Sequence, residues 1–338
     1  MKQGLINIAK YGVLFGFAIA LTYWALKDIH FQEVIDTWHN ANKTPILLSG
    51  VAVMLSHYFR ALRWKIMLKP LGHNFSTFSS YISILVGYGI NILIPRGGEL
   101  ARCVNLNKLE GTPVQTSLGT VITERIIDLL ILIMMMGLAF ILKFDDLLAT
   151  ISNFLAKPEN NQNAPADYTK LYILGGLFAA GVIGLLILLF SKNDKILNFR
   201  EAIKNFLMGM LEGLKTIFNL EHNILFLLYS FIIWFLYYLM AYFVILAFEQ
   251  TQELGFEGAL MVLVLGSIAM AMPTPGGTGT YHTFVPFGLL QLYKIPEKVG
   301  VIFASIFHAW QTIVHLVIGA VSIVISQIII KRNGKVSK

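Results

Sequence analysis

Between Asn91 and Arg102 the chain reads NILIPRGGELAR, which gathers Arg96, Glu99 and Arg102 around two adjacent glycines, Gly97 and Gly98. A guanidinium offers a planar fork of donors that matches a phosphate or carboxylate. Glycine lets a backbone turn sharply and a ligand come close. A helix that starts just after Pro95 points its free N–H groups and the positive end of its dipole back at the turn. Together these residues suit a phosphate-bearing anion. Glu99 is placed to pair with Arg96 or Arg102 and hold it in position. The alternative is a cytoplasmic loop whose arginines only fix topology.

The next apolar run contains TERIID, with Glu124 and Asp128 one helical turn apart and Arg125 three residues before Asp128. Counted from Val114, these groups lie about ten to fourteen residues into the run, roughly 15–21 Å along a helix axis. Ionisable groups at that depth of a membrane are expensive and usually functional. An Arg125–Asp128 pair is self-neutralising, which leaves Glu124 to carry a coupling proton or to pair with Arg96.

The second half supplies PTPGGTGTYH, with Gly276, Gly277 and Gly279 between Pro273 and His282. No arginine accompanies this turn, so an anion there relies on backbone N–H groups. Further on, His308, Gln311 and His315 recur at i, i+3, i+7 on one helical face. These histidines are able to relay a proton or to lock helices as neutral hydrogen-bond partners. His282, His308 and His315 form a possible zinc set, but no carboxylate or cysteine joins them in a ligand motif, so neither metal nor cofactor is expected. Arg60, Arg63 and Trp64 close an earlier apolar run. They read as snorkelling anchors, or as a mouth that collects phosphates through Arg63.

The surrounding chain decides what holds these groups. Of its 338 residues, 56% are hydrophobic and only 13% are Asp, Glu, Lys or Arg, about half the charged share of a soluble domain. This implies one integral membrane domain over 1–338. The net charge of +7 then fits cytoplasmic loops and anionic lipid headgroups better than nucleic acid. The single cysteine, Cys103, excludes an internal disulfide.

Six runs are long enough to cross: roughly 10–27, 46–66, 114–142, 171–190, 223–248 and 298–330. Two shorter ones, 76–94 and 258–272, run into the Pro/Gly clusters. Lysine and arginine concentrate on the cytoplasmic side. Arg60, Arg63, Lys65 and Lys69 put the end of 46–66 inside, and Arg96, Arg102 and Lys108 put the start of 114–142 inside as well. The stretch between them therefore enters and leaves by one face. Glu249, Glu253 and Glu257 sit outside and Lys331, Arg332, Lys335 and Lys338 inside, so 258–292 turns back from the outer face. The expected fold is an all-α membrane protein of about six spans and two re-entrant hairpins. Repeat one (46–142) and repeat two (223–330) are inverted copies, as in secondary transporters. The alternative is a pair of crossing helices kinked at proline. The acidic loop within 143–170, with its polar PENNQNAPAD core, belongs outside. The stretch 195–218, with apolar residues at helical spacing, reads as an interfacial helix. Both termini are expected on the cytoplasmic side, in a bacterial cytoplasmic membrane.

These motifs resemble a known family. Arg63-Trp64, then Asn91, Pro95-Arg96-Gly97-Gly98-Glu99 and Arg102, then Glu124-Arg125 and Asp128, then Pro273, Pro275-Gly276-Gly277 and Gly279, occur in order. They are similar to the transmembrane region of lysylphosphatidylglycerol synthases, also called flippase-like membrane proteins, from about residue 40 to 330. The family's second glycine motif is usually followed by a glutamate, where this chain has His282. The full synthases continue into a soluble aminoacyl-transfer domain. This chain stops at Lys338, so the resemblance implies the lipid-moving part rather than an enzyme. The reading is a lipid transporter with a phosphate-bearing headgroup between the hairpin tips, and membrane lipids as partners. The alternative is an enzyme or accessory subunit acting on lipid-linked envelope precursors.

Overall fold

The computed structural model describes residues 16, 19–94, 97–146, 193, 196–198, 200, 201, 204, 208, 222–272 and 274–336. The chain divides into two compact units, Met1–Ala139 with Asn219–Lys338, and Phe140–Phe218. Described residues of the second unit include helical residues at 196–198, 200, 201, 204 and 208. The expected span at 171–190, the PENNQNAPAD core and most of 195–218 lie outside the described residues, as does much of the first span, of which residues 19–26 are helical.

The first unit is built from helices, with no strand among the described residues. They are α1 (Phe31–Asn40), α2 (Lys43–Leu68), α3 (Thr77–Leu93), α4 (Gly97–Glu110), α5 (Val114–Leu142, which runs on past the unit boundary), α6 (Asn223–Leu246), α7 (Gly255–Ala271), α8 (Thr280–Tyr293) and α9 (Glu297–Val336). Their limits follow from local chemistry. The Asn42 side chain caps α2 by accepting from the Thr44 N–H at 3.0 Å. Ser76 caps α3 through the Ser79 N–H at 3.0 Å. Pro95 stops α3, because the residue before a proline is pushed out of the helical region.

Among the described residues, five segments are long and apolar enough to cross a membrane: Lys43–Leu71, Val114–Leu142, Asn223–Leu246, Gln252–Ala271 and Glu297–Arg332. Four coincide with expected spans. The fifth, which ends in α7, qualifies by length where the sequence reading has the chain turning back. Met134, Ile141, Ile224, Phe231 and Ile328 stand exposed along these segments. A water-soluble domain would bury such a set, whereas a bilayer accommodates it.

Two helical hairpins carry the Pro/Gly clusters. In the first, α3 and α4 lie against each other. A Cβ added at Gly87 would fall 3.2 Å from Arg102 Cβ, and one added at Gly98 would collide with the Gly87 carbonyl. The Asn105 amide donates to Ser83 Oγ at 3.0 Å across the same interface and accepts from Ser326 Oγ of α9 at 2.6 Å. In the second, Tyr281 of α8 sits on Gly266 of α7, and Leu265 covers Gly288. The tip of this hairpin, Pro275–Gly277, packs on α3. Helix α9 crosses α3 where Gly319 meets Gly89, so closely that a Cβ on Gly319 would lie 2.5 Å from the Gly89 Cα. Small residues allow such backbone approach in membranes.

Burial follows the two halves. One core joins Trp64, Leu68, Ile84, Leu106 and Val121 of α2–α5. The other centres on Ile245, Leu289, Phe303 and Phe307 of α6, α8 and α9. Helix α2 packs on α6, and α9 on α3, which ties the halves together.

Candidate functional site

Residues 57, 60, 63 and 64 follow one stripe of α2, and that stripe faces the protein interior. Arg63 and Trp64 are fully buried, and His57 and Arg60 nearly so. The anchor reading of Arg60, Arg63 and Trp64 is therefore corrected. A snorkelling cation reaches water, whereas both of these guanidinium groups meet carboxylates on α5. Trp64 donates its indole N–H to Thr120 Oγ1 at 2.9 Å, and its ring lies 4.7 Å from the Arg102 guanidinium.

Asp128 is the centre of the arrangement. Arg63 grips it with both terminal nitrogens, Nη1 to Oδ1 at 2.8 Å and Nη2 to Oδ2 at 3.3 Å. Arg60 Nη2 lies 3.4 Å and Arg125 Nη2 3.2 Å from the same Oδ2. One turn earlier, Glu124 takes Arg102 Nη2 of α4 at 2.5 Å. Arg63 Nε lies 3.9 Å from Glu124 Oε1, within ion-pair range but too far for a hydrogen bond. Arg125 closes the set by pairing its Nε with Glu99 Oε1 at 3.2 Å. Helix α6 contributes Ser230, which accepts from Arg63 at 3.1 Å, and Tyr237, which accepts from Arg60 at 2.9 Å.

Four guanidinium groups thus face three carboxylates, an excess of one positive formal charge. All but Arg125 and Glu99 are buried; those two side chains are 42% and 40% exposed and form the lip of the cluster. The Nε atoms of Arg60, Arg63 and Arg102 and Oε1 of Glu124 are buried without a hydrogen-bond partner. Unsatisfied donors with excess positive charge in a low-dielectric interior constitute an anion-binding potential.

The pairings differ from the sequence reading in two respects. Glu99 pairs with Arg125 rather than Arg102, and Arg102 takes Glu124. Glu99 lies at the half-exposed lip beside Arg125, while Arg102, one turn further along α4, is buried against Glu124. The Arg125–Asp128 pair is present as read. Arg96, with Pro95, lies outside the described residues. The turn amides are also engaged: the Gly97 N–H donates to the Ile94 carbonyl at 2.9 Å and the Gly98 N–H to Asn91 Oδ1 at 2.8 Å.

At the second tip, Gly276, Gly277 and Gly279 all have positive φ. The Gly277 N–H donates to the Thr274 carbonyl at 3.3 Å, and the Gly276 carbonyl accepts from His308 Nε2 at 2.8 Å. His282 lies beside His308, ring centres 5.0 Å apart, but His315 does not join them. It pairs instead with His57, and the Gln311 carbonyl accepts from its Nδ1 at 2.8 Å. Among the described residues no group of three or more His, Cys, Asp or Glu is arranged for a metal ion.

Sequence reasoning missed His57, Tyr88, Tyr237 and Ser230. The i, i+3, i+6 spacing of His57, Arg60 and Arg63 was the available signal, since it puts three polar groups on one face of an apolar helix. Outside the cluster, Leu47, Gly50, Met54, Tyr81, Trp310 and Ile318 contribute to an apolar groove of about 540 Å³ between α2, α3 and α9.

Substitution separates the lip from the interior. Arg125→Gln should leave the fold intact, at a cost of about 1 kcal/mol or less, because a half-exposed pair contributes little. Thermal unfolding in detergent checks this.

Among known proteins, the chain is 28% identical over 126 residues to a UPF0104 membrane protein of Methanocaldococcus jannaschii, covering 36% of this chain and 38% of that protein. It thus spans well under half the length of that relative. Identity is 25% over 277 residues with a UPF0104 membrane protein of Pyrococcus horikoshii, covering 77% of this chain and 80% of that one. A UPF0104 membrane protein of Methanothermobacter thermautotrophicus gives 25% over 266 residues, 73% of this chain and 75% of that one. No solved structure matches. Residues 8–319 match the lysylphosphatidylglycerol synthase TM region, and the chain, a membrane protein, belongs to that family.

Proposed function

We propose that the protein binds the phosphate-bearing headgroup of a membrane lipid at the arginine cluster and carries it between leaflets. The observation that carries this reading is the excess positive charge on buried guanidinium groups with unpartnered Nε atoms. A phosphate monoanion would neutralise it and accept from those donors in forked geometry. Arg125 is the accessible cation, so it meets the headgroup first. Glu99 and Asp128 then exchange partners with the arriving phosphate.

The architecture supports the same reading. Loop charge places the tip of the α3–α4 hairpin as entering from the cytoplasmic face and the tip of α7–α8 from the outer face. In this reading α2–α5 and α6–α9 are inverted repeats around a site near the midplane. For the first hairpin bilayer depth supports this: the 17 residues of α3 extend about 25 Å, short of the roughly 30 Å hydrocarbon core, whereas Gln252–Ala271 is long enough to cross. One acyl chain would lie along the apolar groove beside Trp310, and the rest of the lipid's tails stay in the bilayer.

The test is leaflet exchange in liposomes with headgroup-labelled anionic phospholipids. Wild type should accelerate exchange. Arg102→Gln, which leaves Glu124 without its closest partner, should reduce the rate at least tenfold. Exchange that is equal with and without protein sinks the proposal. A covalently altered lipid in the mass spectrum would point instead to an enzyme.

A further inference from the structure

Two histidines from distant parts of the chain meet inside the membrane domain. His57 of α2 and His315 of α9 face each other through their Nε2 atoms at 3.1 Å. Their protonation is readable from the partners. A carbonyl only accepts, so the contact from His315 Nδ1 to the Gln311 carbonyl at 2.8 Å puts a proton on that Nδ1. Neutral His315 then presents a bare Nε2, and His57 supplies the N–H between the rings. Neutral His57 is left with a bare Nδ1, which is buried and has no hydrogen-bond partner.

One proton therefore holds the contact together. A second has two places to go. On His315 Nε2 it sets two N–H groups against each other at hydrogen-bond distance. On His57 Nδ1 it creates a buried donor with no acceptor and a cation beside Arg60. Either arrangement costs free energy that opening the α2–α9 contact relieves.

The pair also touches the arginine cluster. The Tyr88 ring of α3 lies against both imidazoles, with centroids 4.0 Å from His57 and 5.0 Å from His315. Its hydroxyl lies 3.4 Å from the Tyr237 hydroxyl of α6, which accepts from Arg60. Arg60 in turn reaches Asp128 of α5. The other ionisable neighbour along α9 is His308, which faces Gly276 and, from α8, His282. No carboxylate is in contact with either imidazole in the described structure to offset a second charge.

We infer that His57 and His315 form a single-proton site that latches α2 to α9, opens on acidification, and is read by the arginine cluster through Tyr88 and Tyr237. Linkage makes the coupling reciprocal: an anion that draws Arg60 from Tyr237 changes the proton affinity of the pair. This goes beyond lipid binding and stands independently of it.

The test measures the latch directly. Spin labels at Tyr58→Cys and Val317→Cys, in a Cys103→Ser background, report the distance between α2 and α9 across the crossing. In the full-length protein with native histidines, the distance should lengthen reversibly between about pH 8 and about pH 4, a range that brackets ordinary imidazole titration. His57→Gln and His315→Gln keep a hydrogen-bonding group but do not titrate, and each should hold the neutral-form distance throughout. A second pair, Phe231→Cys with Phe256→Cys, should stay constant. A distance that ignores pH with native histidines overturns the inference, whatever the variants do. So does a pH response that survives in both glutamine variants, or one shared by the second pair, which would be general acid unfolding.

Discussion

Asp128→Ala should destabilise the protein by about 3–5 kcal/mol, the usual result of removing one member of a buried ion pair. The carboxylate is the shared partner of Arg60 and Arg63, and its loss leaves two buried guanidinium groups facing each other. Arg125 loses one of its two partners but keeps Glu99 and partial access to solvent. The melting temperature in detergent should fall sharply and the yield with it. Asp128→Asn should be milder, because the amide oxygen still accepts, although the charge excess grows by one. The informative companion replaces the ions together: Arg60→Met, Arg63→Met and Asp128→Leu. Apolar residues of similar volume often match or exceed a buried ion cluster in stability. This triple variant should therefore recover most of the lost stability and none of the lipid exchange. Recovery of both would reduce the cluster to a structural fastening.

Gly98→Ala should be the most damaging single methyl group among the described glycines. The added Cβ would meet the Gly87 carbonyl and Asn91 Cγ at 2.7 Å, and both lie on the facing helix of the hairpin. Overpacking of a core commonly costs about 1–3 kcal/mol. Here the obstacle is backbone, which cannot rotate aside, so the upper end of that range is expected. Splaying α3 from α4 would also move Arg102 away from Glu124, linking a steric change to the charge cluster. Gly119→Ala is the control. It lies within α5, and nothing stands within 4 Å of its added Cβ. Removing a helical glycine there should be neutral or stabilising by about 0.5–1 kcal/mol. Thermal unfolding and limited proteolysis of the two variants, side by side, check the contrast.

The elements were legible wherever the signal was local. Residues 114–142 and 223–248 declared themselves by length and high mean hydropathy, even with Glu124, Arg125 and Asp128 inside the first, and their helices end within a few residues of those limits. Pro95 and the 273–279 cluster marked where the hairpins turn. The Arg125–Asp128 pair was visible because three residues on a helix face one way. What the sequence concealed was partner choice across helices. Whether Arg102 meets Glu99 or Glu124 depends on the rotation of α4 about its axis, which hydropathy does not encode in so short a segment. Arg63 looked like an anchor because a count of loop cations cannot distinguish a side chain that reaches the headgroups from one that turns inward. The spacing of His57 with Arg60 and Arg63 marked a polar face but not what it meets, since the partner of His57 stands 258 residues away.

The backbone contact between Gly89 and Gly319 has a mechanical consequence. It is too close to admit a side chain on either helix, so α9 cannot slide past α3 without separating from it, but it can tilt about that point. The contact is a fulcrum, and α9 is a beam laid across it. From Glu297 to Gly319 one arm extends about 33 Å, and from Gly319 to Val336 the other extends about 26 Å. Both histidines ride on the longer arm, His315 close to the pivot and His308 about halfway along it. A displacement of about 1 Å at His315, four residues from the fulcrum, becomes roughly five times larger at the far end of that arm, by simple proportion of 1.5 Å steps. A release too small to disturb the arginines by itself would then swing the far end of the beam.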